Sequence, residues 1–157
     1  MTHHMTSKIV GHLSPTDYDP DFFYSVPFPF PYFDNKEIKI GFVEAKHQPY
    51  LDSADKVLEN FIGLNSTDRT ENSEIVHHYY SDTLKYGYTK PLDITAPKDI
   101  WNFVTPTEII IHWDEDGEFY LCVSCDCEWE EEHGLQLVFK GGQTLTRASG
   151  HDGHFTD

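Results

Sequence analysis

The sequence has few cysteines and no long apolar segment. Its 157 residues include only 3 cysteines, and two of them, Cys125 and Cys127, are separated by a single residue. A disulfide framework is therefore not expected, which favours a reducing, cytoplasmic location. The sequence contains no run of about 18 apolar residues, so a membrane-spanning helix is not predicted. Residues 1–13 carry only a short apolar stretch, so a signal peptide is not predicted either.

Basic residues are also scarce. The chain has 11 Lys and Arg against 27 Asp and Glu, which gives a formal net charge of −16. Such a charge repels nucleic acid phosphates and anionic lipids, so we expect neither a nucleic acid nor a membrane as partner. The same field attracts a basic protein and accelerates its association. We therefore expect a basic protein partner, with solubility alone as the alternative reason for the charge.

The first 25 residues are predicted to be an irregular segment within a single domain over 1–157. Residues 1–25 show no steady apolar period. The prolines that alternate with aromatic residues over 27–32 cannot donate regularly to a β-ladder, which indicates an edge or polyproline segment. We expect its aromatic side chains to close the core, and a peptide-binding groove is the alternative. Alternating apolar residues then predict a strand over 37–45.

The middle of the chain predicts helices. Apolar residues recur at helical spacing over 53–62 and 73–86, with a polar link over 65–72 between them. Asp52 or Ser53 is expected to cap the first of these helices. A shorter helix is predicted over 97–104, because Pro97 suits a first helical turn. The helical side chains expected to cover a sheet are Val57, Phe61, Ile75 and Tyr79.

The last third predicts an antiparallel meander. Four segments alternate in polarity and are separated by turns rich in glycine and acidic residues. Helices followed by consecutive strands, with no internal repeat, indicate one domain of the α+β class. The predicted strands are 107–113, 118–127, 135–140 and 143–148.

An unusual cluster of reactive side chains occupies 125–134, between the second and third of these strands. Cys125 and Cys127 continue an apolar stripe along the strand and are expected to be buried and free of metal, with Trp129 as a lid on the core. Thiols two residues apart on a regular strand lie about 7 Å from each other, too far to share one metal ion. The alternative is a metal site formed by Cys127 and His133.

Three interpretations remain for the acidic part of this cluster. It is a solvated loop, a carboxylate–histidine pair in which Glu132 orients His133, or a face that binds Arg and Lys of a partner. His133 is expected to be partly buried, with Gly134 supplying the freedom for the following turn. No nucleophile stands beside the pair, so no catalytic residue is assigned. The candidate binding residues are Glu128, Trp129, Glu130, Glu131, Glu132 and His133.

The run Cys127–Leu135 resembles the C-x-W-[DE]-x-E-H-G-[LI] signature of an uncharacterised bacterial domain family. The Thr-Pro-Thr sequence at 105–107 and Gly117 also fit its pattern, and the similarity is strongest over 98–153. The second thiol, Cys125, is a departure from the signature. The chain is also similar in size and character to small single-domain proteins of toxin–immunity loci.

Together these observations predict an acidic, non-enzymatic binding protein without a cofactor, of the kind that neutralises a toxin as an immunity protein. The alternative is a small metal-dependent hydrolase. Its site would use His133 with Glu132, Cys127, His112 or His151.

Overall fold

Nine strands form one mixed sheet in the computed structural model, which describes residues 5–87 and 89–156. The strands are β1 (Met5–Ser7), β2 (Gly11–Pro15), β3 (Phe23–Ser25), β4 (Phe28–Phe30), β5 (Lys36–Phe42), β6 (Val104–Trp113), β7 (Phe119–Cys127), β8 (Leu135–Lys140) and β9 (Thr144–Ser149). Their order across the sheet is β1-β2-β3-β5-β6-β7-β8-β9, and β4 pairs with a second stretch of β5. Helices precede the last four strands, so the α+β class is confirmed.

The predicted meander is confirmed. Strands β6 to β9 pair antiparallel in chain order, with Val123 opposite both Ile109 and Leu137. Strand β6 starts at Val104, three residues before the predicted bound. Its register shifts between Pro106 and Glu108, because proline has no N–H to donate to the ladder and a bulge accommodates it.

The prediction of an irregular segment over 1–25 is wrong for the described residues. Strands β1, β2 and β3 extend the sheet antiparallel, and the β1–β2 turn is attached to a helix through the buried Asp55. The Asp55 carboxylate accepts hydrogen bonds from the Ser7 hydroxyl and, at 3.0 Å, from the Lys8 backbone N–H. Side-chain bonds therefore hold strands that are too short to show an alternating pattern.

The segment 27–32 lies at an edge, as predicted. Its first part forms β4, and a 3-10 turn follows over Pro31–Phe33. Phe30 and Tyr32 are fully buried, and the centroids of their rings each lie 5.4 Å from that of Phe61. The segment therefore closes the core, and the groove alternative is not supported.

Strand β5 joins the two halves of the sheet. It ends at Phe42 rather than at residue 45, and it pairs parallel with β6, so that Ile40 lies opposite Ile109. This pairing was not predicted. In the part of the chain that the structure describes, the three α-helices lie in the connection between these two strands.

The helices are α1 (Gln48–Ile62), α2 (Ser66–Glu71) and α3 (Ser73–Lys85). Helix α1 starts five residues before the predicted bound because Pro49 occupies its first turn, so Asp52 and Ser53 are internal and do not cap it. Helix α2 occupies the predicted link and begins with a capping box between Asn65 and Asp68. The predicted helix over 97–104 is a 3-10 helix, Pro97–Phe103.

Helices α1 and α3 supply the core residues almost as predicted. Val57 and Phe61 are buried, and Tyr79 packs partly buried against the core. The prediction for Ile75 is wrong, since it is an exposed residue and its neighbour Val76 is fully buried instead. A difference of one residue on a helix corresponds to a rotation of about 100°.

The two faces of the sheet are covered differently. The front face carries the main core, with residues such as Ile109, Leu121 and Leu137 packed with the helices. The back face carries a small separate cluster of Tyr120, Cys122 and Val138 under Phe155 of the C-terminal tail. Within residues 5–87 and 89–156, no helix has the length and apolarity needed to cross a bilayer.

Candidate functional site: the acidic loop

The acidic loop, residues 128–133, connects β7 to β8 at the end of the sheet where β6 begins. The Glu128 N–H donates to the carbonyl of Phe103 at 3.1 Å, which attaches the start of the loop to the 3-10 helix. The Gly134 N–H donates to the carbonyl of Glu130 at 2.9 Å, which closes the loop on itself. Backbone bonds therefore define the shape of the loop.

Trp129 anchors the loop in the core. It is 2% exposed, and the centroid of its ring lies 5.9 Å from that of Tyr79 and 5.8 Å from that of Tyr80, both on α3. Its Nε1–H is buried and, among the residues that the structure describes, has no hydrogen-bond partner. The prediction of a core lid is confirmed, and Trp129 belongs to the loop as an anchor rather than as an exposed contact.

Glu130 turns inward and organises the loop. Its side chain is 13% exposed, and Oε1 accepts from the backbone N–H groups of Glu132 and His133 at 3.2 Å each. Oε1 also lies 3.3 Å from Nδ1 of His133. The expectation that Glu132 orients His133 is therefore wrong, because Glu130 takes this position. Glu130 is also a poorer candidate for partner contact than its neighbours.

His133 is more exposed than predicted, with 62% of its side chain accessible. Its carbonyl accepts from the backbone N–H of His151 at 2.9 Å, which attaches the tail to the loop. The next residue, Gly134, has a φ of +63°, and a Cβ there would lie 2.9 Å from the carbonyl oxygen of Cys125. The expected role of Gly134 in the turn is confirmed.

The thiols are buried, as predicted for Cys125 and Cys127, and all three cysteines are free. Burial raises the pKa of Cys127 to about 12, and the pKa of Cys125 is raised further by burial and by its neighbour Cys127. The Cys127 thiol lies 3.4 Å from the carbonyl oxygen of Glu130, to which it donates. Protonated thiols in this setting are poor nucleophiles and poor metal ligands.

The residues of the hydrolase alternative are only partly brought together. His112 lies on the back face, where its ring is 4.8 Å from that of Phe155, whereas Cys127 lies on the front face. His151 joins His133 through the bond between their backbones, at 2.9 Å. In the part of the chain that the structure describes, no group of three or more His, Cys, Asp or Glu side chains could hold a metal ion.

The remaining carboxylates of the loop point to solvent beside two cavities. The larger, of about 470 Å³, is lined by the loop and by Lys90, Pro91 and Leu92. The smaller, of about 280 Å³, lies between the loop and the Phe103–Thr105 segment and includes Asp126. Glu128 and Glu131 line both. Sequence reasoning missed the other walls, because only the fold brings residues 90–92 and 103–105 to the loop.

Comparison with known proteins gives a family and no activity. The model of the family described as Domain of unknown function (DUF6985) matches residues 10–155. No curated protein and no solved structure matches the chain.

Proposed function

The chain belongs to this family of unknown function, and we propose from the geometry of the acidic loop that it is a non-enzymatic protein that binds a basic protein segment. The partner in this proposal is a toxin that the protein neutralises, as in an immunity pair. We also propose a cytoplasmic location, a bacterial source and a recurring family motif over Cys127–Leu135.

The observation that carries the proposal is a set of exposed carboxylates that form no ion pair among the described residues, although Lys90 lines the larger cavity beside them. Asp126, Glu128, Glu131 and Glu132 are exposed, and among the described residues none of them has an ion-pair partner. Like charges held close together repel one another, which costs the free protein stability. Arg or Lys side chains of a partner would remove this repulsion and form charge-assisted hydrogen bonds.

The loop is held in position before any partner arrives. Trp129 is packed between two tyrosines, Glu130 bonds two backbone N–H groups, and Gly134 adopts the turn conformation that other residues adopt with strain. A preformed loop loses little conformational entropy on binding, so more of the interaction energy appears as affinity. The net charge of −16 adds long-range attraction for a basic partner.

The hydrolase alternative has less support. Its thiol has a raised pKa, and His112 lies on the other face of the sheet from Cys127. Binding requires only the exposed carboxylates and the two cavities.

The test compares two charge-matched triple variants with a tetra-arginine peptide that carries an amidated C-terminus. The first variant, Glu128→Gln/Glu131→Gln/Glu132→Gln, removes three loop carboxylates. The second, Glu59→Gln/Glu115→Gln/Glu118→Gln, removes three exposed carboxylates elsewhere. Loss of three surface ion pairs, at about 0.5 kcal/mol each, should weaken binding roughly tenfold in the first variant.

Calorimetric titration at low and at physiological salt measures the loss of affinity and its dependence on salt. The loop variant should also show a flatter salt dependence than the control variant. Equal loss in the two variants would assign the attraction to the overall charge and would remove the acidic loop from the interface. The same pair of variants, titrated with the protein product of a neighbouring gene, tests whether the partner is a toxin.

A further inference from the structure

A third cavity, of about 220 Å³, adjoins the acidic loop and has the opposite charge. It lies between the Pro31–Phe33 turn, α2 and the start of β6. Thr105 lines this cavity and also the smaller cavity of the acidic loop, so the two are neighbours at the same end of the sheet. Its principal lining residues are Phe33, Lys36, Arg69, Trp101, Asn102 and Thr105.

The cavity contains two cations and one carboxylate. Arg69 pairs with Asp34 at 2.9 Å, and their side chains are 20% and 68% exposed, so Asp34 neutralises one of the two cations. Lys36 is exposed and, among the described residues, has no ion-pair partner. In a protein of net charge −16, this leaves a local excess of positive charge next to the acidic loop.

The guanidinium of Arg69 is only partly used. Both of its hydrogen bonds leave from Nη1, to the carbonyl of Tyr32 at 3.1 Å and to Asp34 Oδ2 at 2.9 Å. Its Nε is buried and has no hydrogen-bond partner among residues 5–87 and 89–156. A buried donor without an acceptor destabilises the free protein. Nε and Nη2 form the edge that makes no hydrogen bond to the described residues, and this open edge matches the two oxygens of a carboxylate. Because Nε is buried, a ligand reaches the edge only when the guanidinium rotates.

We propose that the pocket of Arg69 and Lys36 binds a carboxylate carried by the same basic segment that the acidic loop receives. This inference rests on the proposed function. The segment crosses Thr105, with its basic side chains beside Glu128 and Glu131 and its carboxylate in the pocket. Rotation of the Arg69 guanidinium toward the pocket presents its open edge to the ligand, and Lys36 adds a second charge.

Arg69 also has a structural role, since its bonds to Tyr32 and Asp34 attach α2 to the Pro31–Phe33 turn. A test that uses Arg69 alone would therefore confuse folding with binding. Lys36 lies exposed at the start of β5, so Lys36→Gln should leave the melting temperature unchanged. The two variants together separate the roles.

The experiment titrates the protein with three peptides: Arg-Arg-Arg-Arg-Gly-Gly with an amidated C-terminus, the same peptide with a free C-terminal carboxylate, and amidated Arg-Arg-Arg-Arg-Asp-Gly. The overall negative charge of the protein favours the amidated Gly-Gly peptide, because the net charge of this peptide is one unit more positive than that of either peptide with a carboxylate. The local pocket reverses this order. We expect one of the carboxylate peptides to bind roughly tenfold more tightly than the amide, as one charge-assisted bidentate pair allows. The preferred peptide identifies a terminal or a side-chain carboxylate.

Lys36→Gln and Arg69→Gln should each abolish the preference for a carboxylate peptide. The affinity for the amidated Gly-Gly peptide should stay within about twofold or increase slightly, because each variant has lost one positive charge. Equal or weaker binding of both carboxylate peptides to the unchanged protein would overturn the carboxylate pocket and leave the proposed function standing. A preference that persists in both variants would also overturn it. Failure of all three peptides to bind would contradict the proposed function itself.

Discussion

The front and back faces of the sheet bury their residues by different means. On the front face, side chains from eight strands and two helices form one continuous core that includes fully buried Phe30, Phe61 and Phe139. On the back face, the small cluster around Tyr120 is covered by Phe155, whose ring stacks on that of Tyr120 at 5.3 Å. Long-range packing stabilises the first face, whereas a short tail covers the second.

Polar bonds hold the tail in place. Arg147 forms two bonds with the carboxylate of Asp152, at 2.9 and 2.7 Å, and Gln136 donates to the carbonyl of His154 at 2.8 Å. A covering attached by a few partly exposed bonds opens at lower free energy than a packed core. The front face should therefore determine global stability, and the back face should respond by local opening.

The largest effect is expected for Phe61→Ala on the front face. The centroid of the Phe61 ring lies 4.9 Å from that of Phe139, and both residues are fully buried, so truncation leaves a cavity among aromatic side chains. The free energy of unfolding, measured by urea denaturation, should fall by about 3–5 kcal/mol. Phe61→Leu should cost less, because it fills part of the space. A loss below about 1 kcal/mol would contradict the central position of Phe61.

A smaller loss is expected for Phe155→Ala on the back face. The ring is partly exposed and its contacts are mainly the rings of Tyr120 and His112, so the same measurement should show about 1 kcal/mol. Thr156→Ala, at the exposed neighbouring position, is the control and should be neutral. If Phe155→Ala cost as much as Phe61→Ala, the two faces would form one cooperative unit.

Local opening of the tail should be visible at Cys122, which lies under Phe155 and has its pKa raised to about 12 by burial. In Phe155→Ala, alkylation of Cys122 should accelerate roughly tenfold, while Cys125 and Cys127 react as slowly as before. Mass spectrometry of the labelled peptides distinguishes the three sites. Equal acceleration at all three would indicate global rather than local opening.

The smallest effect is expected on the stability of the protein at acidic pH. The hydrogen bonds from Arg147 lower the pKa of Asp152 from 3.8 to about 2. This carboxyl binds protons more readily in the unfolded chain, so its contribution to stability is complete above pH 4 and is lost as the pH falls toward 2. The melting temperatures of the protein and of Asp152→Asn should therefore converge over this range. A constant difference would show that the ion pair contributes nothing to the tail.

The sequence predicted those parts of the fold that depend on local pattern. Strands β6 to β9 alternate over six or more residues and are separated by turn sequences, which is why their pairing could be inferred. Strand β1 has three residues, too few to show a period. Helix α2 buries no residue and therefore lacks an apolar stripe, although its capping box of Asn65 and Asp68 was a readable signal.

The candidate site was located from the sequence, but its internal roles were not. Trp129 continued an apolar stripe, so its burial could be predicted. Glu130 could not be separated from Glu128, Glu131 and Glu132 by residue type, and only the closed turn shows that it faces inward. The pocket of Arg69 and Lys36 depends on residues distant in the chain, for which the sequence contains no local signal.

The parallel pairing of β5 with β6 implies an order of folding. Closing the loop between these strands, which contains all three helices, costs conformational entropy before any contact forms. Strands β6 to β9 meet across short connections and should assemble first, with the free edge of β6 as the template for β5. Because β3 pairs with β5 and not with β6, the N-terminal strands join the strands β6 to β9 only through this event. On the ribosome, the first third of the chain therefore joins the main sheet only after the last third has emerged.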